Sequence, residues 1–354
     1  MRLLIITSQI TNSGGVSSIL VSKANALIAN HNFDVAIAST NDSTSDLFFN
    51  LDARVQLFFM KTRMNNVFNL LHLKKEFQFI LDTYKPDVIS VADNGLKSFF
   101  IKKIVGSTLP VIYEIHGNAS SFYNGDVKGV KSKLHKIILK KFLPKFDVIV
   151  VQNKLFELPI SHQNVVYIPN FINSVIEKQN LISNKLIAVG RVVSTKNYER
   201  LIKVWKEIHL RFPDKQLHIY GSWEDDIIVK IIQASPNVYL HKPVSDLKKI
   251  YADAYMLLHT SYIESFPMVF LEAMSFGLPI VCFDINQPNI VLNKNTGYVI
   301  NLNDYHNFSK SAIHLIENVN LAKKFSLNAL KHIQNFSEES VVKQWAELYK
   351  NRAN

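Results

Sequence analysis

Two glutamates separated by seven residues frame the part of this chain with the clearest potential for chemistry. The segment reads Glu264-Ser-Phe-Pro-Met-Val-Phe-Leu-Glu272, and Gly277 follows shortly afterwards. Pro267 suits the first turn of a helix and Gly277 suits its end, so the pattern predicts a helix with Glu264 just before it and Glu272 inside it. As chemistry alone, the two carboxylates could bind hydroxyl groups, or could act as the acid and the nucleophile of a glycosidase.

The start of this predicted helix is also suited to an anion. Free backbone amides at a helix N-terminus, here including those of Met268 and Val269 just after Phe266, favour a phosphate group. A phosphate site between the two carboxylates argues against a glycosidase. It favours carboxylates that hold sugar hydroxyls, with Glu264 on a transferred sugar and Glu272 on a ribose.

Two basic residues follow an earlier strand-like run. Arg191 comes directly after Gly190, and Lys196 lies five residues further on. Arg191 can bind a phosphate with two parallel hydrogen bonds and Lys196 adds a compact charge, so together they could neutralise a diphosphate. Without a ligand partner, the same two residues would simply belong to a solvated loop.

The first half of the chain holds two less specific candidates. Gly14 and Gly15 precede a helix-compatible stretch, where paired glycines let a phosphate or sugar approach the backbone or form an ordinary tight turn. His116 follows the predicted strand 111–115, at the sheet edge where doubly wound proteins bind ligands. A lone histidine there is usually structural, but the other predicted site residues also follow strands. No Gly-x-Gly-x-x-Gly motif occurs, which counts against a nicotinamide or flavin enzyme.

Short β-rich apolar runs alternate with amphipathic stretches, which predicts parallel sheets flanked by helices. The first series of predicted strands is Leu3–Thr7, Asp34–Ser39, Val55–Phe59, Val88–Val91, Val111–Ile115, Val148–Val151 and Val165–Ile168. The second series is Leu186–Val189, Leu217–Tyr220, Val238–Leu240, Met256–His259 and Ile280–Phe283. Two Rossmann-like units in tandem fit this α/β pattern, with boundaries at 1–173 and 174–336. Helices are predicted over 305–319 and 321–334, and a final one begins at Ser337.

Composition excludes several protein classes. The 354 residues are 47% hydrophobic and 19% charged, so the chain is neither disordered nor a coiled coil. One cysteine, Cys282, excludes a disulfide framework, and we expect a cytoplasmic protein because no signal peptide or membrane-spanning run is evident. The net charge of +11 is concentrated in a predicted amphipathic helix from Lys128 to Lys145. That helix either docks on an anionic membrane surface or is a core-facing helix with a solvated lysine face. No nucleic-acid-binding motif is found.

The motifs together resemble a known family. The segment from Glu264 to Glu272 is similar to the E-x7-E signature of the retaining GT-B glycosyltransferases of family GT4, the group 1 glycosyltransferases. Four further motifs match in the expected order, namely Gly14-Gly15, His116-Gly117, Gly190-Arg191 with Lys196-Asn197, and Val244-Ser245-Asp246-Leu247. The resemblance covers essentially the whole chain.

This resemblance implies a fold and a set of roles. The fold would be GT-B, with two facing Rossmann-like domains and a C-terminal helix, residues 337–354, that crosses back to the first domain. Arg191 and Lys196 would bind the donor diphosphate, Glu272 the ribose and Glu264 the donor sugar. His116 would contact that sugar, and the loop at Gly14 and Gly15 would close over the phosphates. The donor pocket would be completed by the backbone near Val244, the base contact, and by Phe266, Pro267, Met268 and Val269.

The expected activity is transfer of a sugar, with retention, from a nucleotide-sugar donor to a glycan or lipid-linked acceptor. The expected setting is the synthesis of a bacterial surface polysaccharide such as lipopolysaccharide, O-antigen or capsule. No Asp-x-Asp motif occurs, so neither a metal nor another cofactor is expected. The expected donor is UDP-linked. The family's usual glycines near the base are replaced by Trp223 and Lys242, which could reshape the base pocket, so GDP is the alternative. A nucleotide-sugar 2-epimerase or hydrolase of the same fold, or a non-catalytic binding scaffold, would share these features.

Overall fold

The computed structural model describes residues 1–42, 46–61, 70–93, 98–106, 109–117, 130–153, 158, 161–173, 182–244, 248–285, 292 and 295–353. The chain divides into two compact units. The N-terminal unit consists of Met1–Asn170 together with Glu338–Asn354, and the C-terminal unit is Phe171–Ser337. The division expected from the sequence lies at residues 173 and 336.

Within the described residues, the N-terminal unit contains a parallel sheet of seven strands. The strands are β1 (Arg2–Thr7), β2 (Asp34–Ser39), β3 (Gln56–Phe59), β4 (Val88–Ala92), β5 (Val111–Ile115), β6 (Val148–Val151) and β7 (Val165–Tyr167). Their order is β3-β2-β1-β4-β5-β6-β7, which is a doubly wound arrangement. The helices are α1 (Gly15–His31), α2 (Leu70–Tyr84), α3 (Ile101–Val105) and α4 (Val130–Phe142).

The C-terminal unit repeats this plan, with a six-stranded parallel sheet in the described ranges. Its strands are β8 (Lys185–Val189), β9 (Gln216–Tyr220), β10 (Val238–His241), β11 (Met256–His259), β12 (Ile280–Phe283) and β13 (Gly297–Ile300), in the order β10-β9-β8-β11-β12-β13. Its helices are α5 (Tyr198–Arg211), α6 (Asp226–Gln233), α7 (Lys248–Ala252), α8 (Met268–Ser275), α9 (Tyr305–Glu317) and α10 (Val319–Ile333).

The central strands are buried on both faces, as parallel sheets covered by helices require. Residues 3–6 of β1 are fully buried, and so are the apolar residues of β12. Trp205 of α5 is likewise inaccessible in the core of the C-terminal unit. These uninterrupted apolar runs, bounded by polar loops, are the reason that the strands could be located from the sequence.

The last helix, α11 (Glu338–Ala353), belongs to the N-terminal unit although it follows the C-terminal unit in the sequence. It contacts α1 and β4, and it buries Trp345 and Tyr349 there. Glu338 and Glu339 in its first turn and Lys350 and Arg352 in its last turn complement the helix dipole.

The expected α/β architecture with two Rossmann-like units is confirmed. One strand, β13, is not among those predicted, because its residues are half-buried at the edge of the sheet and follow a polar loop. The helix predicted over 305–319 ends earlier, at Glu317, and the next helix begins at Val319. No helix in the described ranges is long and apolar enough to cross a bilayer.

The predicted basic helix forms as α4. Ile137, an apolar residue among its lysines, is 62% exposed. The buried positions are His135, Leu139 and Phe142, which follow the spacing of one helix face. Lys128 lies outside the described residues, as do the side chains of Val130, Lys131 and Leu134.

Candidate functional site

The centre of the candidate site is an ion pair between Lys196 and Glu264. Lys196 ends the single 3-10 turn that follows β8, and Glu264 lies in the loop between β11 and α8. The Lys196 Nζ is 2.5 Å from the Glu264 Oε1, and the two side chains are 21% and 14% exposed. Burial alone would raise the pKa of Glu264, but the Lys196 ammonium and the neighbouring His259 hold it well below its usual range.

A short set of hydrogen bonds fixes the two loops that carry this pair. Asn197 adopts a left-handed backbone conformation with φ 57° and is the N-cap of α5, so the chain turns sharply after Lys196. The Asn197 Nδ2 donates to the Thr260 carbonyl at 3.3 Å, and the Thr260 hydroxyl donates to the Asn197 carbonyl at 3.1 Å. The Tyr262 amide donates to the Thr195 carbonyl at 2.9 Å. The loop after β8 is therefore tied to the loop after β11.

His259 is a site residue that the sequence analysis missed. It ends β11, its ring meets Phe270 edge to face, and its Nε2 lies 3.3 Å from the Glu264 Oε1. Burial lowers the pKa of His259, and the Glu264 carboxylate opposes part of that shift. The contact lies within ion-pair distance, but the buried Nε2 has no hydrogen-bond partner of normal geometry among the described residues. The sequence did contain one indication of this role: His259 is a polar residue at the carboxyl end of a buried strand, where parallel sheets bind ligands.

Gly190 and Gly221 bring the ends of β8 and β9 together. Gly190 has φ +151°, and a Cβ added to Gly221 would lie 2.0 Å from the Gly190 carbonyl oxygen. The Tyr198 hydroxyl donates to that same oxygen at 2.8 Å. Only glycine fits at position 221 without moving the backbone that leads into Arg191.

Arg191 is the most solvent-exposed of the predicted basic residues. Its Nη1 lies 3.2 Å from the Glu224 Oε2, and its side chain is 65% exposed. Among the described residues, its ion-pair partner is thus Glu224 rather than Glu264. The guanidinium lies next to solvent. An exposed ion pair contributes little to stability, so Arg191 can leave Glu224 for a ligand at a small free-energy cost.

Helix α8 carries Glu272, as predicted, and begins just after Pro267. Pro267 is the residue that caps the helix rather than part of its first turn. The Tyr251 hydroxyl donates to the Glu272 Oε2 at 2.6 Å. Burial raises the pKa of Glu272, and the hydrogen bond from Tyr251 partly offsets that rise. The first amides of α8, at Met268 and Val269, have no acceptor inside the helix.

Two further donor-pocket predictions have distinct surroundings. The Phe266 ring is buried in the apolar core of the C-terminal unit, near the Phe336 ring, so its backbone is the part left for a ligand. Val244 is 39% exposed just beyond β10. Ser245, Asp246 and Leu247 lie outside the described residues.

The remaining predicted residues lie in the N-terminal unit. Gly14 caps α1 and Gly15 is its first residue, and the Asn12 Oδ1 accepts from the Gly14 amide at 2.9 Å. His116 follows β5, with Nε2 3.0 Å from the Glu114 Oε2 and Nδ1 3.4 Å from the Gln152 Nε2. Its side chain is only 5% exposed. A substrate hydroxyl would therefore have to compete with Gln152 for Nδ1.

Metal-ligating residues do not gather in this region. In the part of the chain that the structure describes, no three histidine, cysteine, aspartate or glutamate side chains are grouped so as to hold a metal ion. Cys282 is buried in β12, and burial raises its thiol pKa above the ordinary value. The cluster at Lys196 can therefore offer a cation, carboxylates and backbone amides to a ligand.

The chain is similar in sequence to known glycosyltransferases. Residues 173–332 match the family model for "Glycosyl transferases group 1". The whole chain is 26% identical to the amylovoran biosynthesis glycosyltransferase AmsD of Erwinia amylovora, over 98% of this chain and 99% of that protein.

Solved structures share the fold at lower identity. HepE of Anabaena, solved with UDP-glucose, superposes with a TM-score of 0.76 at 15% identity, over 99% of each chain. The pneumococcal O-GlcNAc transferase GtfA, solved with UDP and GlcNAc, gives a TM-score of 0.78 at 13% identity, again over 99% of each chain. The family match covers nearly all of the C-terminal unit and the similarity to AmsD spans both units, so the C-terminal unit belongs to the group 1 glycosyltransferase family and the chain has the GT-B fold.

Proposed function

We propose that this protein is a retaining glycosyltransferase that moves a sugar from a UDP-sugar to a glycan or lipid-linked acceptor during synthesis of a bacterial surface polysaccharide. The observation that carries the proposal is the Lys196–Glu264–His259 cluster at the carboxyl ends of β8 and β11. This is the sheet edge at which doubly wound units bind ligands. Lipopolysaccharide, O-antigen and capsule are the polymers to which such a transferase would contribute.

The charges of the cluster suit the departure of a diphosphate. Negative charge grows on the leaving diphosphate while the sugar becomes oxocarbenium-like, so fixed cations stabilise the transition state more than the ground state. The Lys196 ammonium has three N–H donors, so it can keep its bond to Glu264 and also donate to a phosphate oxygen. Arg191 would leave Glu224 to bind the same diphosphate. In the retaining path, the departing phosphate would help deprotonate the acceptor on the same face of the sugar.

The two carboxylates would recognise the two ends of the donor. Glu264 has a second oxygen for a sugar hydroxyl, and Glu272 has one for a ribose hydroxyl while its other oxygen accepts from Tyr251. His116, Gly14 and Gly15 would act from the N-terminal unit, as the family resemblance implies. Val244 would lie against the base, and the backbone from Phe266 to Val269 would face the phosphates.

The comparisons support the donor and acceptor classes. HepE and GtfA were solved with UDP or UDP-glucose, and AmsD is named for the synthesis of the polysaccharide amylovoran. No metal cofactor enters the proposal, because Lys196 and Arg191 would supply the positive charge. Turnover should accordingly be insensitive to a chelator such as EDTA.

A peripheral position on the inner face of the cell membrane is a further part of the proposal. Helix α4 and the residues after it expose Lys133, Lys136, Lys140, Lys141 and Lys145, and Ile137 stands exposed among them. Each lysine near an anionic surface contributes about 1 kcal/mol of attraction. An apolar side chain between the lysines adds burial in the headgroup region.

Vesicle sedimentation tests the membrane position. Replacing Lys136, Lys140 and Lys141 by glutamine should abolish binding to phosphatidylglycerol vesicles at 50 mM salt. Replacing the exposed Lys323, Lys324 and Lys331 of α10 removes the same charge and should leave binding unchanged. Equal binding by both triple variants would overturn the membrane assignment.

The decisive test of the activity is a donor screen followed by turnover. Thermal shifts with UDP, GDP, ADP and their sugar conjugates should show stabilisation by one nucleotide family, lost in Arg191→Ala and Glu272→Ala. Release of UDP that depends on an added glycan or lipid-linked acceptor would support the transferase. Release without acceptor would favour a hydrolase or 2-epimerase, and tight binding without release would favour a scaffold.

A further inference from the structure

A buried ion pair lies in the middle of the N-terminal unit, behind His116. The Lys23 Nζ of α1 is 2.5 Å from the Glu114 Oε1 of β5, and neither side chain is more than 2% exposed. The desolvation of two buried charges offsets much of their attraction, and apolar residues in place of such a pair often stabilise a core at least as well. Stability alone therefore does not account for Lys23 and Glu114.

The C-terminal helix completes the surroundings of this pair. The Tyr349 hydroxyl lies 3.1 Å from the Ser90 Oγ and 3.4 Å from the Glu114 Oε1, and Ser90 itself donates to the same Glu114 oxygen at 2.5 Å. The Lys23 ammonium sits 3.9 Å from the centre of the Trp345 ring, which adds a cation–π contact. One carboxylate oxygen thus accepts from Lys23 of α1 and Ser90 of β4, and the Tyr349 hydroxyl of α11 shares its single hydrogen between Ser90 and this oxygen.

The other carboxylate oxygen of Glu114 contacts His116. The Glu114 Oε2 is 3.0 Å from the His116 Nε2, and a carboxylate can only accept, so Nε2 carries the hydrogen. The Gln152 amide nitrogen, 3.4 Å from Nδ1, can only donate, so Nδ1 carries the lone pair. Burial alone would raise the pKa of Glu114, but Lys23 and His116 hold it well below its usual range, and it remains an acceptor at neutral pH.

We propose that Glu114, Lys23 and Tyr349 are positioning residues that hold His116 in the Nε2–H tautomer and so present Nδ1 as a hydrogen-bond acceptor for a hydroxyl of the donor sugar. The hydroxyl would take the place of the Gln152 amide at Nδ1. This inference rests on the proposed function, which assigns His116 to the donor sugar. It gives helix α11 a part in substrate recognition that it performs without touching the substrate.

The tautomer can be measured without turnover. Long-range ¹H–¹⁵N spectra of the full-length protein labelled at histidine distinguish the two ring nitrogens, and loss of one pattern in His116→Gln identifies His116 among the 12 histidines. The wild-type pattern should show a protonated Nε2 and an unprotonated Nδ1. Glu114→Gln should give a mixture of tautomers, and Tyr349→Phe a smaller change in the same direction.

Tyr84→Phe is the matched control. It removes a buried tyrosine hydroxyl from the same unit, but that hydroxyl contacts the Leu3 carbonyl and Asp34 at 3.3 Å rather than Glu114. The His116 pattern should be unchanged in this variant. If Glu114→Gln does not fold because Lys23 loses its counter-charge, the double variant Lys23→Met/Glu114→Gln and the milder Tyr349→Phe test the same point.

A wild-type tautomer ratio in the folded Glu114 and Tyr349 variants would overturn the proposal, whether or not the protein proves to be a transferase. Saturation with UDP-glucose or UDP-GlcNAc, compared with UDP alone, should move the Nδ1 resonance of His116 in the wild type. A Nδ1 resonance at the same position with UDP and with either UDP-sugar would also overturn the proposal.

Where transfer is measurable, Glu114→Gln should lower kcat about 10- to 100-fold with little change in the KM for the acceptor. A failed transferase assay beside the expected spectra would refute the activity alone.

Discussion

The Lys196 ammonium and the Glu264 carboxylate, the two groups that would meet the diphosphate and the sugar of a donor, are hydrogen-bonded to each other at 2.5 Å. They come from loops 68 positions apart, and His259 shares the same carboxylate oxygen. The pair fixes the distance between a phosphate-binding group and a sugar-binding group before a donor arrives. Its contribution to stability can therefore be separated from its contribution to turnover.

Removing one member of this pair should lower both stability and turnover, and removing both should lower turnover with a smaller loss of stability. Lys196→Met should lower turnover about 10²- to 10³-fold, because a fixed charge at the leaving group is lost. It should also lower the free energy of unfolding by about 1–3 kcal/mol, since Glu264 is left without its cation. Lys196→Met/Glu264→Gln should regain part of that stability in urea titrations while turnover stays low. Recovery of turnover in the double variant would contradict a role in catalysis.

Glu272 should control nucleotide affinity through a single hydrogen-bonded contact. Glu272→Gln should weaken UDP binding about 10- to 100-fold, the loss expected for a hydrogen bond to a charged group. Tyr251→Phe keeps the carboxylate but removes the hydroxyl that orients it, so its loss should be smaller. Isothermal titration calorimetry measures both. Unchanged affinity in Glu272→Gln would show that the ribose lies elsewhere.

Adding one methyl group at Gly221, where the chain packs against Gly190, should destabilise the C-terminal unit. A Cβ at position 221 would lie 2.0 Å from a backbone oxygen, so the strands must shift. Gly221→Ala should cost more than about 3 kcal/mol and lower the Tm of the C-terminal unit by about 6–12 °C. Gly106→Ala is the control, because nothing lies within 4 Å of its Cβ and only the backbone strain at φ +88° remains. Equal Tm losses in scanning calorimetry would refute the steric argument.

Acid should destabilise the C-terminal unit partly through a stacked histidine pair. The His218 Nδ1 lies 2.9 Å from the His241 Nε2, so one ring must accept and remain neutral. Burial, together with His241 and Lys185, lowers the pKa of His218 to about 4. An unfolded histidine titrates near pH 6.5, so between about pH 6.5 and 4 the unfolded chain takes up a proton that the folded chain does not.

The free energy of unfolding should therefore fall as the pH is lowered through this window. Urea titrations at pH 7, 6 and 5 should show a shallower fall in His218→Gln than in the wild type. His72→Gln, which removes an exposed histidine from α2, should keep the wild-type slope. A wild-type slope in His218→Gln would mean that other groups account for the acid sensitivity.

The parts of the fold that were predicted from the sequence are those in which one physical signal dominates. Buried parallel strands such as 3–6 and 280–283 are continuous apolar runs, and their ends are marked by polar loops. Helix α4 was placed correctly, but its inner face could not be predicted, because the buried side chain there is a histidine, His135, while the apolar Ile137 is exposed. The hydrophobicity of the residues alone does not predict which of them are buried here, because a tertiary contact between the Phe99 and His135 rings determines it.

In the candidate site, too, some residues could be predicted from the sequence, whereas others depend on tertiary contacts. Lys196, Glu264 and Glu272 were predicted from motif and spacing, Lys196 and Glu264 in loops that follow strands and Glu272 inside the predicted helix. Their partners were not found, because His259 and Tyr251 are identified only by strand adjacency and helix packing in the folded chain. The same holds for Lys23 and Glu114, which are 91 positions apart.

The place of helix α11 in the chain also determines when the N-terminal unit can be completed. Its Trp345 and Tyr349 fill that unit's core, yet they leave the ribosome only after the whole C-terminal unit has been made. Until then α1 and β4 lack the helix that packs on them, and the Lys23 ammonium lacks the Trp345 ring that lies over it. The C-terminal unit, by contrast, is one uninterrupted segment that can close as soon as it emerges. The half of the protein that is synthesised first is thus the half that matures last.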